Sequence, residues 1–223
     1  MTVKLILKAL CKYIAGLVVA GALIFVPAGS FNFFNGWLFM ALLFVPMLIA
    51  GVILMFKNPE LLVKRLNAKE KQNNQGLVIM LSGLMFLAGF IVSGLGFRFH
   101  WYQLPLWDVI AASVIFVLAY IMYAEVLREN TFLSRTIEVQ ENQTVVDTGL
   151  YGIVRHPMYT STLLLFMTMP LILGSVFGFI IFLAYPFIIA KRIKGEEAFL
   201  EQELNGYREY KQKVKYRLIP FVW

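Results

Sequence analysis

The segment 149–159 holds the densest group of side chains suited to chemistry and reads Gly-Leu-Tyr-Gly-Ile-Val-Arg-His-Pro-Met-Tyr. It joins a cation, an imidazole and two phenols, which are costly to place at a membrane unless they have partners. Gly149 and Gly152 allow the backbone to approach a ligand, and Pro157 suits the first turn of a helix. We interpret the segment as a binding loop. The alternative is that side chains such as Arg155 only reach toward lipid headgroups.

A second group lies at 192–197, which reads Arg-Ile-Lys-Gly-Glu-Glu. On a helix Arg192 and Glu196 are one turn apart and could form an ordinary surface ion pair. Alternatively, adjacent carboxylates can hold a ribose diol or an ammonium group while an arginine grips a carboxylate. The same residues therefore suit a positively charged cofactor beside an anionic substrate.

The elements that position these groups are apolar helices. The sequence is 60% hydrophobic and 15% charged, and its mean hydropathy is +0.73, more apolar than a soluble domain of 223 residues requires. A helix that crosses a bilayer needs roughly 20 apolar residues. We predict hydrophobic segments at 5–28, 36–56, 77–97, 105–127, 157–173 and 176–191. The predicted fold is an all-α, polytopic membrane bundle of five to six transmembrane helices with a C-terminal cytosolic amphipathic helical tail.

The basic residues predict the orientation of this bundle. The formal net charge is +7, which by itself would also suit a nucleic-acid partner. With six crossings, however, every Lys and Arg except Arg98 falls on one side, including Lys69, Lys71 and Arg135. Lysine and arginine mark the cytoplasmic side of membrane proteins. We therefore expect a multi-pass integral membrane protein without a nucleic-acid partner, with both termini and the 149–159 loop in the cytosol.

Connections between the segments give further expectations. Residues 136–146 alternate as strands do around a possible turn at Glu141-Asn142, which predicts a small hairpin or an extended flap over the cytosolic face. Residues after Gly174-Ser175 should return as a tight helical hairpin. Apolar residues from 200 to 214 keep helical spacing, and Asn205-Gly206 should divide this tail, which we expect to lie along the membrane surface, into two short helices.

Two further expectations concern single residues and metals. We predict that Glu125 pairs with Arg128, although Glu125 could instead line a substrate entry. Glycines such as Gly89 and Gly94 should allow helices to pack closely. The single cysteine and two distant histidines, His100 and His156, predict no metal site.

Residues 149–159, the 192–197 group and the endings Tyr-Arg-Glu-Tyr at 207–210 and Tyr-Arg-Leu-Ile-Pro at 216–220 resemble the isoprenylcysteine carboxyl methyltransferase and phospholipid methyltransferase superfamily. The resemblance covers roughly residues 130–223. It implies an N-terminal membrane region (1–127, about four helices) and a catalytic half (128–223) with a cofactor loop, a helical hairpin and C-terminal helices. It also implies that the cofactor is S-adenosyl-L-methionine.

The resemblance also implies roles for individual residues. The catalytic residues would be Arg192, which positions the acceptor, and Glu197, which orients Arg192. The cofactor would be held by Leu150, Tyr151, Val154, Arg155, His156, Pro157, Tyr159 and one or both of Glu196 and Glu197. The acceptor would be a lipid or a prenylated small molecule or protein, with membrane lipids around it, and its methylated atom and the oligomeric state stay open.

Two other functions remain open at this point. Membrane sterol reductases resemble the tail at 214–220, but they bind NADPH, whose 2′-phosphate calls for a basic pocket. The Glu196-Glu197 pair disfavours that reading. A non-catalytic membrane scaffold of the same fold would have little reason to hold both polar groups together.

Overall fold

The computed structural model describes residues 3–66, 76–134 and 136–223, and these residues are helical apart from loops and an isolated bridge between Gln103 and Ser175. The α-helices are α1 (Val3–Ala28), α2 (Phe34–Lys57), α3 (Pro59–Leu66), α4 (Gly76–Arg98), α5 (Leu106–Glu129), α6 (Pro157–Ile172), α7 (Val176–Phe182), α8 (Tyr185–Glu203) and α9 (Tyr207–Lys213). Lys69, Lys71 and Arg135, three of the basic residues assigned to the cytosolic side, lie outside the described residues.

The helices confirm the predicted membrane fold. In the described part of the chain, five helical segments are long and apolar enough to cross a bilayer: Lys4–Ala28, Phe34–Lys57, Gly76–Arg98, Leu106–Glu129 and Val176–Glu203. Helix α6 is apolar but shorter, which matches the expected five to six crossings. Many large apolar side chains point outward, as lipid-facing residues must; Trp107 and Phe187 are each 79% exposed. Which side faces the cytosol stays a prediction.

Glycines set the closest helix contacts, as expected for packing in lipid. A Cβ at Gly94 of α4 would lie 2.5 Å from the Ile24 carbonyl oxygen of α1. A Cβ at Gly89 would lie 2.3 Å from the ring of Phe182 in α7. Both distances are too short for a side chain, so these two positions require glycine. Helix α4 therefore holds α1 on one face and α7 on another.

The α6–α7 turn forms the predicted tight hairpin. Gly174 has a φ of +74°, and the Ser175 hydroxyl caps α7 by accepting from the Gly178 N–H at 3.0 Å. The chain then breaks briefly at Leu183-Ala184 before α8 starts. Pro186 in the first turn of α8 lacks an N–H, which explains why the helix does not run through.

Residues 130–134 and 136–148, which we call the flap, connect α5 to the 149–159 loop. The expected turn forms at Glu141-Asn142, where the Gln143 N–H donates to the Gln140 carbonyl oxygen at 3.1 Å. No strand pairing forms within the described residues of the flap, so the extended alternative holds and the hairpin alternative does not. The Gln143 side chain accepts the Gln140 N–H, a backbone donor that a hairpin would use. The Gln140 side chain donates to the Phe132 carbonyl oxygen, which ties the turn to the start of the flap.

The C-terminal tail divides where expected, with α8 ending at Glu203, α9 beginning at Tyr207 and Gly206 at a φ of +84°. Its apolar residues cover the flap: Leu204, Tyr207, Tyr210 and Val214 form a buried cluster against Val139, Val145 and Leu200. This cluster, together with an ion pair of 2.7 Å between Lys213 and Asp147, fixes the flap over the end of α8. That the tail lies along the membrane surface remains a prediction.

Candidate functional site

The 149–159 loop begins with a turn that only glycine can start. Residues Gly149–Gly152 form one turn of 3₁₀ helix, and Gly149 has a φ of +50°. A Cβ at Gly149 would lie 2.1 Å from a carboxylate oxygen of Glu129. That carboxylate instead accepts from the Thr148 hydroxyl at 3.0 Å and from the Leu150 N–H at 3.2 Å. Glu129 at the end of α5 therefore fixes the entry to the loop.

A buried carboxylate holds the exit from the loop. Glu197 of α8 is 3% exposed, and one of its oxygens accepts from Arg155 Nε at 2.7 Å and lies 3.3 Å from His156 Nε2. Its other oxygen accepts from Arg217 Nε at 2.8 Å. Buried charges require such partners because burial alone is expensive. Glu197 thus ties the loop, α8 and the tail together.

Arg155 extends this network into the backbone. Its Nη1 donates to the carbonyl oxygens of Val214 and Lys215, at 2.7 and 2.8 Å. The backbone N–H groups of Arg155 and His156 donate to the carbonyl oxygens of Tyr216 and Arg217, each at 2.9 Å. The loop and the tail are therefore one hydrogen-bonded unit, and it leads directly into α6, which starts with Pro157 as predicted.

A chain of hydrogen bonds joins α6 to α8. Arg192 Nε donates to the Tyr159 hydroxyl at 2.8 Å, and the Tyr159 hydroxyl donates to the Glu196 carboxylate. The His156 ring stacks beside the Tyr159 ring with centroids 5.7 Å apart, and His156 Nδ1 lies 4.0 Å from Glu196. A cation, a phenol and a carboxylate are thereby held in a fixed order.

These groups form one wall of a cavity between the flap, the loop, α8 and α9. The cavity encloses about 810 Å³ of empty space, part of which is open to solvent. Its walls are mixed: polar groups include Glu138, His156, Arg192 and Glu196, and apolar groups include Leu200.

Tyrosines close the cavity on the tail side. The Tyr210 hydroxyl donates to the Tyr151 carbonyl oxygen at 2.8 Å, and the Tyr151 hydroxyl accepts from Asn130 at 3.0 Å. Tyr207 differs, because its buried hydroxyl has no hydrogen-bond partner among the described residues. Burial, reinforced by the carboxylates of Glu197 and Glu196, raises the pKa of the Tyr207 phenol well above its ordinary value.

The structure brings most of the predicted site residues to this cavity: Tyr151, Arg155, His156, Tyr159, Arg192 and Glu196 line it. The other predicted residues support it. Leu150 is bound through its N–H to Glu129, Val154 is buried, Pro157 starts α6, and Glu197 lies beneath the loop.

One expected contact needs correction. We expected Glu197 to orient Arg192, but the two oxygens of Glu197 accept from Arg155 and Arg217, with His156 beside them. The group that fixes Arg192 Nε is the Tyr159 hydroxyl. Consecutive residues of a helix point about 100° apart, so Glu196 faces the cavity while Glu197 faces the loop and the tail. The predicted pairing of Glu125 with Arg128 is confirmed, since Arg128 donates two hydrogen bonds to Glu125 at 2.6 and 2.8 Å.

Many residues that line the cavity were not among the predicted site residues, and Glu138 and Tyr207 are two of them. Glu138 of the flap accepts from Ser134 and Thr136 and lines the cavity, but in the sequence it was only part of an alternating pattern. The sequence places Tyr207 at an apolar position of a helical tail and in the Tyr-Arg-Glu-Tyr element of the resemblance, but assigns it no role in the site. Only the tertiary structure identifies these two residues, because they reach the cavity when the flap and the tail fold onto it.

The part of the chain that holds most of this site also matches a known protein family. Residues 107–205 match the family model described as phospholipid methyltransferase. The matched segment contains the loop, the hairpin and the Arg192–Tyr159–Glu196 chain, whereas Tyr207 and Arg217 follow it. No curated protein matches the chain at a significant level. The family match and the apolar helices together indicate an integral, multi-pass membrane methyltransferase.

Proposed function

Because residues 107–205 belong to the phospholipid methyltransferase family, we propose that this membrane methyltransferase uses S-adenosylmethionine and methylates a lipid-like acceptor that reaches the cavity from the bilayer. The observation that carries the proposal is the chain Arg192–Tyr159–Glu196 in the cavity wall. In this chain the Glu196 carboxylate suits a cationic cofactor. Arg192, which Tyr159 joins to Glu196, suits a polar lipid headgroup beside that cofactor.

The cavity residues fit this cofactor, which carries an ammonium group, a sulfonium and a ribose diol. Glu196 offers a carboxylate that can hold an ammonium group or a diol. The Tyr159 ring, which stacks beside His156, offers a face that attracts a cation. The Tyr207 hydroxyl is an additional polar group without a partner among the described residues. We assign cofactor binding to Glu196, His156 and Tyr159, with the loop around Tyr151 closing the site.

Residues beneath the cavity act by holding this arrangement. Glu197 and Arg155 fix the loop to the tail, and Glu129 fixes its start. A site whose groups are held in place before the ligand binds loses less entropy during the reaction. We therefore assign positioning roles to Glu197 and Arg155 and direct contact with the cofactor to Glu196.

When bound, the cofactor supplies an electrophilic methyl group on a positively charged sulfur. The protein must then hold the acceptor in line and exclude water. We assign the acceptor to Arg192, whose guanidinium can bind a carboxylate or phosphate of a lipid headgroup. Tyr159 keeps Arg192 at a fixed position relative to Glu196.

The chemistry of the acceptor decides whether a base is needed. A carboxylate acceptor is nucleophilic once ionised and requires only Arg192 to hold it. An amine acceptor must lose a proton, and Glu196, alone or through the Tyr159 hydroxyl, is a group in the cavity wall that can take it. The name of the matched family favours a phospholipid, while the resemblance of the C-terminal half also includes prenylated carboxylates.

Incubation of the purified protein with methyl-labelled S-adenosylmethionine and fractionated membrane lipids tests the proposal. We expect label in the lipid fraction. Alkaline treatment then separates the two acceptor classes, because a methyl ester releases labelled methanol and an N-methyl group does not. A transfer that depends on Arg192 and Glu196 supports the site assigned here.

The matched control is Arg128→Ala, which removes an arginine from an exposed ion pair at the end of α5. Arg128→Ala should transfer label at the normal rate, and Arg192→Ala should not. Absence of transfer to every lipid fraction by folded, cofactor-binding protein would contradict a lipid acceptor and favour a small thiol or another soluble acceptor. Absence of cofactor binding as well would favour a non-catalytic scaffold.

A further inference from the structure

Tyr207 is unusual among the tyrosines that line the cavity. Its side chain is buried, at 4% exposure, and its hydroxyl has no hydrogen-bond partner among the described residues. Three neighbouring phenols are all satisfied: Tyr151 by Asn130, Tyr159 by Arg192 and Glu196, and Tyr210 by a backbone carbonyl. A buried hydroxyl without a partner costs free energy that a phenylalanine would avoid.

The position of Tyr207 indicates a function for this hydroxyl. Tyr207 starts α9, directly after the turn at Gly206, and lines the cavity together with Glu196, His156 and Leu200. Its ring lies 5.8 Å from that of Tyr210, and the apolar cluster with the flap holds it in place. The side chain is therefore fixed in the wall of the cavity rather than at a lipid or solvent surface.

The surrounding charges define what could bind the hydroxyl. The carboxylates of Glu197 and Glu196 act on the Tyr207 phenol more strongly than the Arg155 guanidinium, which acts in the opposite direction, so an anionic ligand atom is disfavoured there. A neutral ligand oxygen is suitable, because a phenol can both donate to it and accept from it. A sugar hydroxyl meets this description, and a carboxylate such as Glu196 can bind the second hydroxyl of the same diol.

We propose that Tyr207 is a binding residue whose hydroxyl forms a hydrogen bond with a ribose hydroxyl of the nucleoside bound in this cavity. The proposal rests on the proposed function, because it takes the nucleoside to be that of S-adenosylmethionine. It extends the site beyond the residues that match the family model, since Tyr207 follows residue 205. The tail is then part of the binding wall as well as a cover for the flap.

Calorimetric titration with S-adenosylhomocysteine tests this proposal in detergent-purified wild-type protein and in Tyr207→Phe. Loss of one hydrogen bond to a neutral ligand group should weaken binding roughly three- to tenfold. The 2′,3′-dideoxy analogue of S-adenosylhomocysteine should bind wild-type and Tyr207→Phe protein equally, because the hydroxyl then has no partner to lose. Tyr102→Phe, an exposed tyrosine away from the cavity, is the control and should bind like wild type.

Thermal unfolding without ligand gives a second measurement that does not require activity. Tyr207→Phe should unfold at the same temperature as wild type or higher, whereas Tyr210→Phe, which loses the bond to Tyr151, should unfold lower. If Tyr207→Phe is as destabilised as Tyr210→Phe, the hydroxyl serves the fold and the proposal is wrong.

The binding results test the role of Tyr207 separately from the proposed function. Unchanged affinity in Tyr207→Phe, with normal binding by wild type, overturns the role of Tyr207 and leaves the proposed function standing. Failure of wild-type protein to bind S-adenosylhomocysteine overturns the proposed function and the inference together.

Discussion

The Tyr159 hydroxyl accepts a hydrogen bond of 2.8 Å from Arg192 Nε, and the same hydroxyl donates to the carboxylate one helical turn beyond Arg192. The sequence left open whether Arg192 and Glu196 form a simple ion pair or bind ligands. The structure places a phenol of α6 between them, so the two charged residues are coupled through a third group. This arrangement defines which substitutions should affect binding and which should affect turnover.

Tyr159→Phe should separate these functions. The substitution removes the hydroxyl that fixes Arg192 but leaves the ring beside His156. We expect turnover to fall at least tenfold because the acceptor is misplaced, with a smaller change in cofactor affinity. Turnover and calorimetric affinity measured on the same preparation check this, with Tyr102→Phe as control. Normal turnover would show that Arg192 does not depend on Tyr159.

Arg192→Ala should leave cofactor binding nearly intact and reduce turnover severely, because Arg192 is assigned to the acceptor. Arg192→Lys should restore little activity if the acceptor is a carboxylate held by the planar guanidinium, and more if only positive charge is needed. The measurement is turnover at matched folded fraction, with Arg128→Ala as the control. Near-normal turnover in Arg192→Ala would remove Arg192 from the site.

The adjacent glutamates should differ in what they affect. Glu197→Gln replaces the buried carboxylate that holds Arg155 and Arg217 with a neutral amide, and breaking such a pair typically costs about 3–5 kcal/mol of stability. Glu196→Gln removes a charge that faces the cavity and should weaken cofactor binding about ten- to a hundredfold with little loss of stability. Chemical denaturation and calorimetry on both variants check the contrast. The reverse pattern would exchange the roles assigned to the two residues.

The orientation of the bundle is testable without activity. Reporter fusions after residues 32, 66, 101, 140 and 223 should report external, cytosolic, external, cytosolic and cytosolic positions, respectively, because lysine and arginine concentrate on the cytosolic side. An external signal from the fusion at 140 would place the flap, and with it the cavity, outside the cytosol. Such a result would contradict a site supplied with a cytosolic cofactor.

The helices could be predicted because apolar runs of this length have few other structures available in lipid, where the backbone must satisfy its own hydrogen bonds. The division of the tail at Asn205-Gly206 was predictable for a related reason, since glycine readily adopts the positive φ seen at Gly206. The flap was less predictable. Its alternating pattern suits strands, but the side chain of Gln143 binds the Gln140 N–H, a backbone group that a strand pair would use.

The sequence predicted which residues belong to the candidate site better than it predicted what each residue does. Residue types and the resemblance identified the loop and the Arg192 region, yet the sequence does not show which of Glu196 and Glu197 faces the cavity. That depends on how α8 is rotated against α6 and the tail. Glu138 and Tyr207 could not be recognised for the same reason, because each gains its place only when the flap and tail pack together.

The most direct test of the central claim is a calorimetric comparison of S-adenosylhomocysteine and NADPH on the same purified protein, with Glu196→Gln and the matched control Glu125→Gln, which alters an exposed carboxylate outside the cavity. The account predicts binding of S-adenosylhomocysteine and no comparable binding of NADPH, with affinity reduced in Glu196→Gln and unchanged in Glu125→Gln. Preferential binding of NADPH would contradict the account and assign the cavity to a reductase.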